Sequence, residues 1–252
     1  MNEKYKLGLV SVSFRGASPK EILQEMKKAG LCHVEWGSDV HAPCNDLERL
    51  NEIATMQKEY GVKCSSYGTY FRLGQTPIEE LENYIKAAKI LGTDILRLWC
   101  GTKKGADMSE AERGALLRLC RQAAEIAKGH GVTLCMECHM KTFTENTDDA
   151  VWLMDEVNSP NFRMYWQPFQ WQSANENIEN AQKIAPYAKH VHVFNWENEK
   201  KFPLADAVTE WQKYLSCFSG EHALLLEFMP NGTLEELKKE ADALKIIVGE
   251  SL

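Results

Sequence analysis

Amphipathic segments and short apolar runs alternate along the whole chain. In "EILQEMKKAGLCHVEWG" (21–37), a helical pattern of apolar residues ends at a glycine, and a short apolar run follows. The stretch "LLRLCRQAAEIAKGHGVTLCMECH" (116–139) repeats this arrangement. Glycine is favoured directly after a helix because it adopts a positive φ at little cost. The pattern predicts strands near residues 6–14, 33–37, 63–70, 95–101, 133–139, 163–168, 190–196 and 223–229, each followed by a helical segment.

Strands that alternate with helices pair in parallel through right-handed crossovers. Eight such units in 252 residues match the usual size of a (β/α)₈ barrel. A doubly wound open sheet is the alternative, but it usually carries a glycine-rich phosphate loop after its first strand. Here the first strand ends in "SVSFRGAS", which lacks that loop. Because no linker or shift of composition interrupts the pattern, we predict a single α/β domain, a (β/α)₈ TIM barrel, over residues 1–252.

Serine or threonine followed three residues later by glutamate marks several predicted helix starts. This spacing is typical of a capping box, in which the two side chains satisfy free backbone N–H groups of the first turn. It occurs at Ser18–Glu21, Thr76–Glu79, Ser109–Glu112 and Thr233–Glu236.

Composition and charge narrow the classes of function. The net charge is −7 without a long block of Lys or Arg, so binding to nucleic acid is not expected. No apolar run approaches the roughly 18 residues of a membrane helix, and the first residues are too weakly apolar for a signal peptide. We therefore predict a cytoplasmic protein with no membrane contact. The eight cysteines are scattered, which is typical of small buried side chains.

Polar residues stand near the ends of four consecutive predicted strands. These are Glu137, Gln167, His192 and Glu227, and Glu227 is embedded in the apolar run "ALLLEFM". A carboxylate within an apolar strand is costly unless it is paired or binds a metal, although a carboxylate that faces outward towards a lysine would be harmless. In a barrel the carboxyl ends of the strands converge on the active site. Four oxygen and nitrogen donors at this end predict one divalent metal ion, Mn²⁺, Mg²⁺, Co²⁺ or Zn²⁺.

These residues give the chain a resemblance to the xylose-isomerase-like TIM-barrel superfamily of sugar and sugar phosphate isomerases and epimerases. The resemblance covers essentially the whole chain and rests on "VEWGSDVH" (34–41), "MECH" (136–139), "YWQP" (165–168), "HVHVFNW" (190–196) and "LLLEFMP" (224–230). It implies metal ligands at Glu137, Gln167, His192 and Glu227. Gln167 departs from the family pattern, which has aspartate there, and "YWQP" is similar to a less well characterised branch.

The resemblance also implies a reaction. A proton would move next to the carbonyl of a sugar or sugar phosphate through a metal-stabilised enediolate, with Glu137 and Glu227 as base and acid on opposite sides of the substrate. Dimers or tetramers are usual in the family, which makes a homo-oligomer possible.

Further residues near the strand ends are candidates for substrate binding. His139 shares a strand face with Glu137, and His41 follows the second strand, yet both could be structural histidines. Glu35 could hold His41, a substrate hydroxyl or a neighbouring lysine.

Aromatic and basic residues at the same end extend this set. Trp99 and Trp196 could stack on the C–H faces of a sugar, although most such rings only pack. Arg15 and Lys141 could meet a phosphate or carboxylate, or remain solvated loop charges.

Three other functions stay open from the sequence. A metal-dependent dehydratase of a polyol-derived ketone or cyclic keto-acid would share the first proton abstraction. A non-catalytic carbohydrate-binding barrel fits the neutral Gln167. A DNA-repair endonuclease with three metals is disfavoured, since the chain has only seven histidines.

Overall fold

The computed structural model describes residues 4–250, and these form a closed barrel of eight parallel strands. The barrel strands are β1 (Tyr5–Val10), β2 (His33–Gly37), β3 (Lys63–Leu73), β4 (Ile95–Cys100), β5 (Thr133–Glu137), β6 (Phe162–Trp166), β7 (Ala188–Val193) and β10 (His222–Leu226). Each pairs with the next along the chain, and β10 closes the barrel against β1 with Tyr5 opposite His222. This confirms the predicted (β/α)₈ barrel.

A helix follows each barrel strand. The helices are α1 (Pro19–Ala29), α2 (Leu47–Tyr60), α3 (Leu81–Leu91), α4 (Glu110–His130), α5 (Thr147–Val157), α6 (Ala174–Ile184), α7 (Val208–Ser216) and α8 (Leu237–Val248). In the part of the chain from residue 4 to residue 250, no helix is long and apolar enough to cross a membrane.

Two of the four predicted capping boxes are present, at Ser18–Glu21 and Ser109–Glu112. The predictions at Thr76–Glu79 and Thr233–Glu236 are wrong, because 3₁₀ turns precede α3 and α8 and their first residues have no side-chain cap. An unpredicted capping box, Ser173–Glu176, begins α6.

Several barrel strands end earlier than the apolar pattern suggests. The first gives way to a 3₁₀ helix, Ser11–Phe14, and the eighth ends at Leu226 rather than near residue 229. Beyond these strand ends Val12, Phe14 and Met229 are still buried, although they do not belong to a barrel strand. Gln167 and Glu227 therefore stand directly after their strands, at the barrel's carboxyl end.

Two short antiparallel strands form a hairpin after β7. They are β8 (Trp196–Glu197) and β9 (Lys200–Lys201), and the hairpin was not predicted as a separate element. It lies at the carboxyl end of the barrel and contributes side chains to the cavity there.

Candidate active site

A cavity of about 430 Å³ opens at the carboxyl end of the barrel. Its lining includes Glu137 at the end of β5, Gln167 after β6 and Glu227 after β10. Aromatic side chains form much of the remaining wall, namely Tyr70, Trp99, Phe169, Trp171, Phe194, Trp196 and Phe228. Acidic groups within an aromatic enclosure are a typical setting for chemistry on a small polar molecule.

The ring of His192 is the centre of a cluster of potential metal ligands. Its Nδ1 lies 2.9 Å from Gln167 Oε1, 3.4 Å from Glu137 Oε1 and 3.5 Å from Glu227 Oε2. The amide nitrogen of Gln167 donates to the backbone carbonyl of Cys138 at 2.9 Å. Because that carbonyl can only accept, the amide oxygen must face the cluster.

This donor set fits a divalent cation. Ligand atoms of Glu137, His192 and Glu227 all lie within 4.8 Å of one another, and all three side chains are buried. Gln167 adds a neutral oxygen beside the same imidazole nitrogen. Imidazole with carboxylate and amide oxygens suits Mg²⁺, Mn²⁺ or Zn²⁺.

Directly below this cluster, Arg97 joins two glutamates inside the barrel. Its Nε donates to Glu35 Oε1 at 3.0 Å, and its Nη1 donates to Glu137 Oε2 at 2.8 Å. The side chains of Arg97 and Glu35 are 3% and 0% exposed. Ser66 donates to the other oxygen of Glu35 at 2.8 Å. Gly68 leaves room for the pair, since a Cβ there would lie 2.6 Å from Glu35 Oε1.

Glu35 also faces the far side of the His192 ring. Its Oε2 lies 3.6 Å from Nε2 of His192. A carboxylate on that side favours the proton on Nε2, which leaves Nδ1 as the atom that can bind a metal. Burial disfavours the charged imidazolium, but the carboxylates of Glu227 and Glu35 outweigh burial and raise the pKa of His192 to about 10.

The two candidate catalytic glutamates have opposite electrostatic settings. Burial raises the pKa of both carboxyls, but at Glu137 the charge of Arg97, together with His192, outweighs burial and holds that pKa well below its usual range. The indole of Trp99 also donates to Glu137 Oε2, at 2.6 Å. At Glu227 burial dominates and raises the pKa to about 7. Glu137 is therefore a fixed anion, and Glu227 can exchange a proton near neutral pH.

Three predicted substrate-binding residues lie in the cavity wall, and their roles remain predictions. Trp99 contacts His139, with ring centroids 5.0 Å apart. Nδ1 of His139 lies 2.7 Å from the carbonyl of Met140, so in the neutral ring Nε2 is the basic atom. Trp196 packs on Phe228, with centroids 5.3 Å apart.

Two other candidates lie away from the cavity lining. His41 is 1% exposed, and its nitrogens contact the hydroxyl of Ser11 and the carbonyl of Ala17, which gives it a structural role. Glu35 is buried below the cavity with Arg97 as its partner, not His41 or a lysine.

The two basic loop candidates are not among the residues that line the cavity either. Arg15 pairs with Asp39 and Tyr70 at the surface. Lys141 is exposed, and its backbone N–H donates to Glu145. Tyr70 lines the cavity, so Arg15 lies next to its rim, and a role of either side chain in substrate binding stays a prediction.

The sequence reasoning missed Arg97 and Lys201. Arg97 stands in the apolar run "ILRLWC", and the argument applied to Glu227, that a charge in a buried strand must be paired, applies equally to it. Lys201 lies on the unpredicted hairpin, and no sequence signal marks it.

Fold and site together define a (β/α)₈ barrel with a candidate divalent-metal site at its carboxyl end. The chain matches the family model described as xylose isomerase-like TIM barrel over residues 23–223 and belongs to that family.

Similar proteins include both dehydratases and epimerases. A 3-dehydroshikimate dehydratase of Bacillus anthracis is 24% identical in an alignment of 202 residues that covers 76% of this chain and 71% of that protein. The crystal structure of a probable 3-DHS dehydratase involved in petrobactin synthesis, from the same organism, has a TM-score of 0.78 at 20% identity and covers 95% of this chain and 98% of its own. A D-psicose 3-epimerase of Clostridium cellulolyticum H10, crystallised with D-tagatose, has a TM-score of 0.71 at 13% identity, covering 98% of this chain and 100% of its own.

Proposed function

We propose that this protein is a divalent-metal-dependent dehydratase of a cyclic, hydroxylated keto acid of the 3-dehydroshikimate type. The observation that carries the proposal is the asymmetry of the two glutamates. Glu137 is paired with Arg97 at 2.8 Å and stays anionic, whereas burial raises the pKa of Glu227 to about 7 in the metal-free protein. The similarity to a 3-dehydroshikimate dehydratase supports the same substrate class.

Glu137, Gln167, His192 and Glu227 would hold the metal ion. When bound, a divalent ion would polarise the substrate carbonyl and stabilise negative charge on its oxygen. The protein's own part is to fix the ligands. The carboxylate of Glu35, 3.6 Å from Nε2 of His192, favours a proton on that nitrogen, and Arg97 with Trp99 holds one carboxylate oxygen of Glu137.

Dehydration needs one base at the carbon next to the carbonyl. That carbon loses its proton to Glu227 or to Nε2 of His139, both in the cavity wall. The hydroxyl group on the following carbon then leaves and takes up a proton, which releases one water. A second proton shift in the ring makes the product aromatic, so no oxidant is required.

An isomerase or epimerase of a sugar or sugar phosphate is the second candidate. It is favoured by the placement of Glu137 and Glu227 on different strands around one cavity, as two-base chemistry requires. The Arg97 and Trp99 contacts count against it, because they hold Glu137 in the anionic form and weaken it as a base.

The test is turnover by the purified protein with Mg²⁺ or Mn²⁺. We expect 3-dehydroshikimate to give an ultraviolet-absorbing aromatic product, and EDTA treatment to abolish its formation. In parallel, a panel of ketoses and their phosphates is incubated in D₂O. If a ketose takes up deuterium and 3-dehydroshikimate gives no aromatic product, the proposed function becomes that of an epimerase and not of a dehydratase. A protein that binds a sugar but does neither would be a binding barrel.

A further inference from the structure

We infer that Lys201 is a specificity-determining residue that binds a carboxylate group of the substrate, an inference that rests on the proposed function. Lys201 belongs to β9 and lines the cavity. It would make the site selective for keto acids over neutral ketoses.

The hairpin holds Lys201 in a defined place. Trp196 pairs with Lys201 across the two strands. The connecting residues, Asn198 and Glu199, both have positive φ, 46° and 70°, as a two-residue hairpin turn requires. Their backbone N–H groups donate to Gln170, at 3.1 Å to its carbonyl and 3.0 Å to its side chain. These two hydrogen bonds hold the turn against the loop after β6.

The ammonium group of Lys201 lies above an aromatic wall of the cavity. Its Nζ is 5.2 Å from the centroid of Trp196 and 5.0 Å from that of Phe228. Phe228 directly follows Glu227, so the wall adjoins the candidate base. Ring faces attract a cation and keep it extended over them. A carboxylate bound to this ammonium would therefore lie at the edge of the aromatic wall, with the rest of the substrate in the cavity.

Of the lysine and arginine side chains that line the cavity within residues 4–250, Lys201 is the one without a carboxylate partner. The guanidinium of Arg97 is already occupied by Glu35 and Glu137. In the range 4–250, no carboxylate lies within 4.0 Å of Lys201 Nζ, although Glu199 also lines the cavity. A single ammonium suits a carboxylate, whereas phosphate sites usually combine several donors from arginines or helix N-termini.

The experiment combines deletion of the carboxylate with deletion of the lysine. Binding of 3,4-dihydroxybenzoate and of catechol, which differ only in the carboxylate, is measured by calorimetry in the presence of Mg²⁺. The variants are Lys201→Met and Lys201→Arg. The control is Lys200→Met, since Lys200 is exposed and lies over Phe202 outside the cavity lining.

We expect Lys201→Met to weaken binding of 3,4-dihydroxybenzoate about tenfold or more, the size of a lost charge-assisted hydrogen bond. Catechol binding should change less than about twofold. Lys201→Arg should retain the preference for the acid, and Lys200→Met should behave as the wild type. Equal affinity of the wild type for both ligands, or a preference that survives in Lys201→Met, would overturn the inference.

A second ligand pair separates carboxylate from phosphate recognition. D-fructose 6-phosphate is compared with D-fructose, and a Lys201-dependent preference confined to this pair would overturn the carboxylate assignment. Turnover of 3-dehydroshikimate is followed separately. If product forms but Lys201→Met keeps the preference for the acid, Lys201 does not bind the carboxylate. The proposed dehydratase activity would then still stand. A Lys201-dependent preference without product formation would refute only the dehydratase.

Discussion

Replacing Arg97 with methionine tests whether the ion pair network inside the barrel stabilises the fold. The substitution leaves Glu35 and Glu137, 0% and 4% exposed, without their cation. The pKa of Glu35 lies at about 2 rather than at 4.5, because Arg97 and His192 outweigh the effect of burial. At about 1.4 kcal/mol per pH unit, this difference corresponds to about 3 kcal/mol for Glu35 alone. Breaking a buried pair by removing one partner typically costs about 3–5 kcal/mol, in agreement.

The free energy of unfolding of metal-free wild type and Arg97→Met is measured with urea at pH 7. We expect a loss of about 3–5 kcal/mol. The matched control is Arg121→Met, whose partner is Glu156 in a pair with 51% and 43% exposed side chains. This surface pair should cost less than about 1 kcal/mol. If both variants lose the same small amount, Arg97 does not neutralise the buried glutamates as argued.

The pH dependence of the free energy of unfolding is a second test of the same ion pairs. A carboxylate with a lowered pKa contributes stability above its unfolded value of 4.5, and that stability is lost as the pH falls towards 2. The deficit of Arg97→Met should therefore be largest near neutral pH and narrow below pH 4.5. Adding Glu35→Gln to Arg97→Met should recover part of the loss, since the neutral amide needs no cation. The double variant also keeps the test usable if Arg97→Met alone fails to fold.

Three further substitutions test the site directly. Gln167→Asp should tighten Mn²⁺ binding about tenfold in calorimetry by adding a third carboxylate, and unchanged or weaker affinity would show that Gln167 is not a ligand. Glu227→Gln should reduce turnover by about 10²-fold or more with little change in Tm, so an active, metal-replete variant would contradict the assignment. Gly68→Ala should lower stability by about 1–3 kcal/mol because its Cβ would lie 2.6 Å from Glu35 Oε1, whereas Gly129→Ala, with nothing within 4 Å, should not destabilise helix α4.

The barrel and the metal-type cluster could be predicted from the sequence because both depend on order along the chain. Alternating strands and helices imply parallel pairing, and the carboxyl ends of parallel barrel strands meet in one place. Their positions near the strand ends were enough to predict that Glu137, His192 and Glu227 lie close together. The structure confirms that their ligand atoms converge.

Partners inside the barrel could not be predicted in the same way. Glu35 and Arg97 are 62 residues apart, and their contact depends on the stagger of the strands and on the missing side chain at Gly68. Lys201 depends on a hairpin whose turn, Asn198–Glu199, lacks the glycine that usually marks such turns. The choice between a dehydratase and an epimerase rests on these contacts, so the strand-end pattern alone left it open.

The electrostatics of the site make a final prediction about metal binding. In the metal-free protein the pKa of His192 is raised to about 10 and that of Glu227 to about 7, so both hold protons at pH 6. A metal ligand must be unprotonated, so binding should release about two protons at pH 6 and about one at pH 8.5, where Glu227 is already ionised. Calorimetric titration of Mn²⁺ in buffers of different ionisation enthalpy measures this number. Glu227→Gln should release about one proton at pH 6, because only the imidazole then titrates, and fewer at pH 8.5, because loss of the carboxylate lowers the pKa of His192. Binding without proton release would mean that His192 is not a ligand, and the arrangement of Gln167 and Glu227 around its Nδ1 would then serve the imidazolium itself.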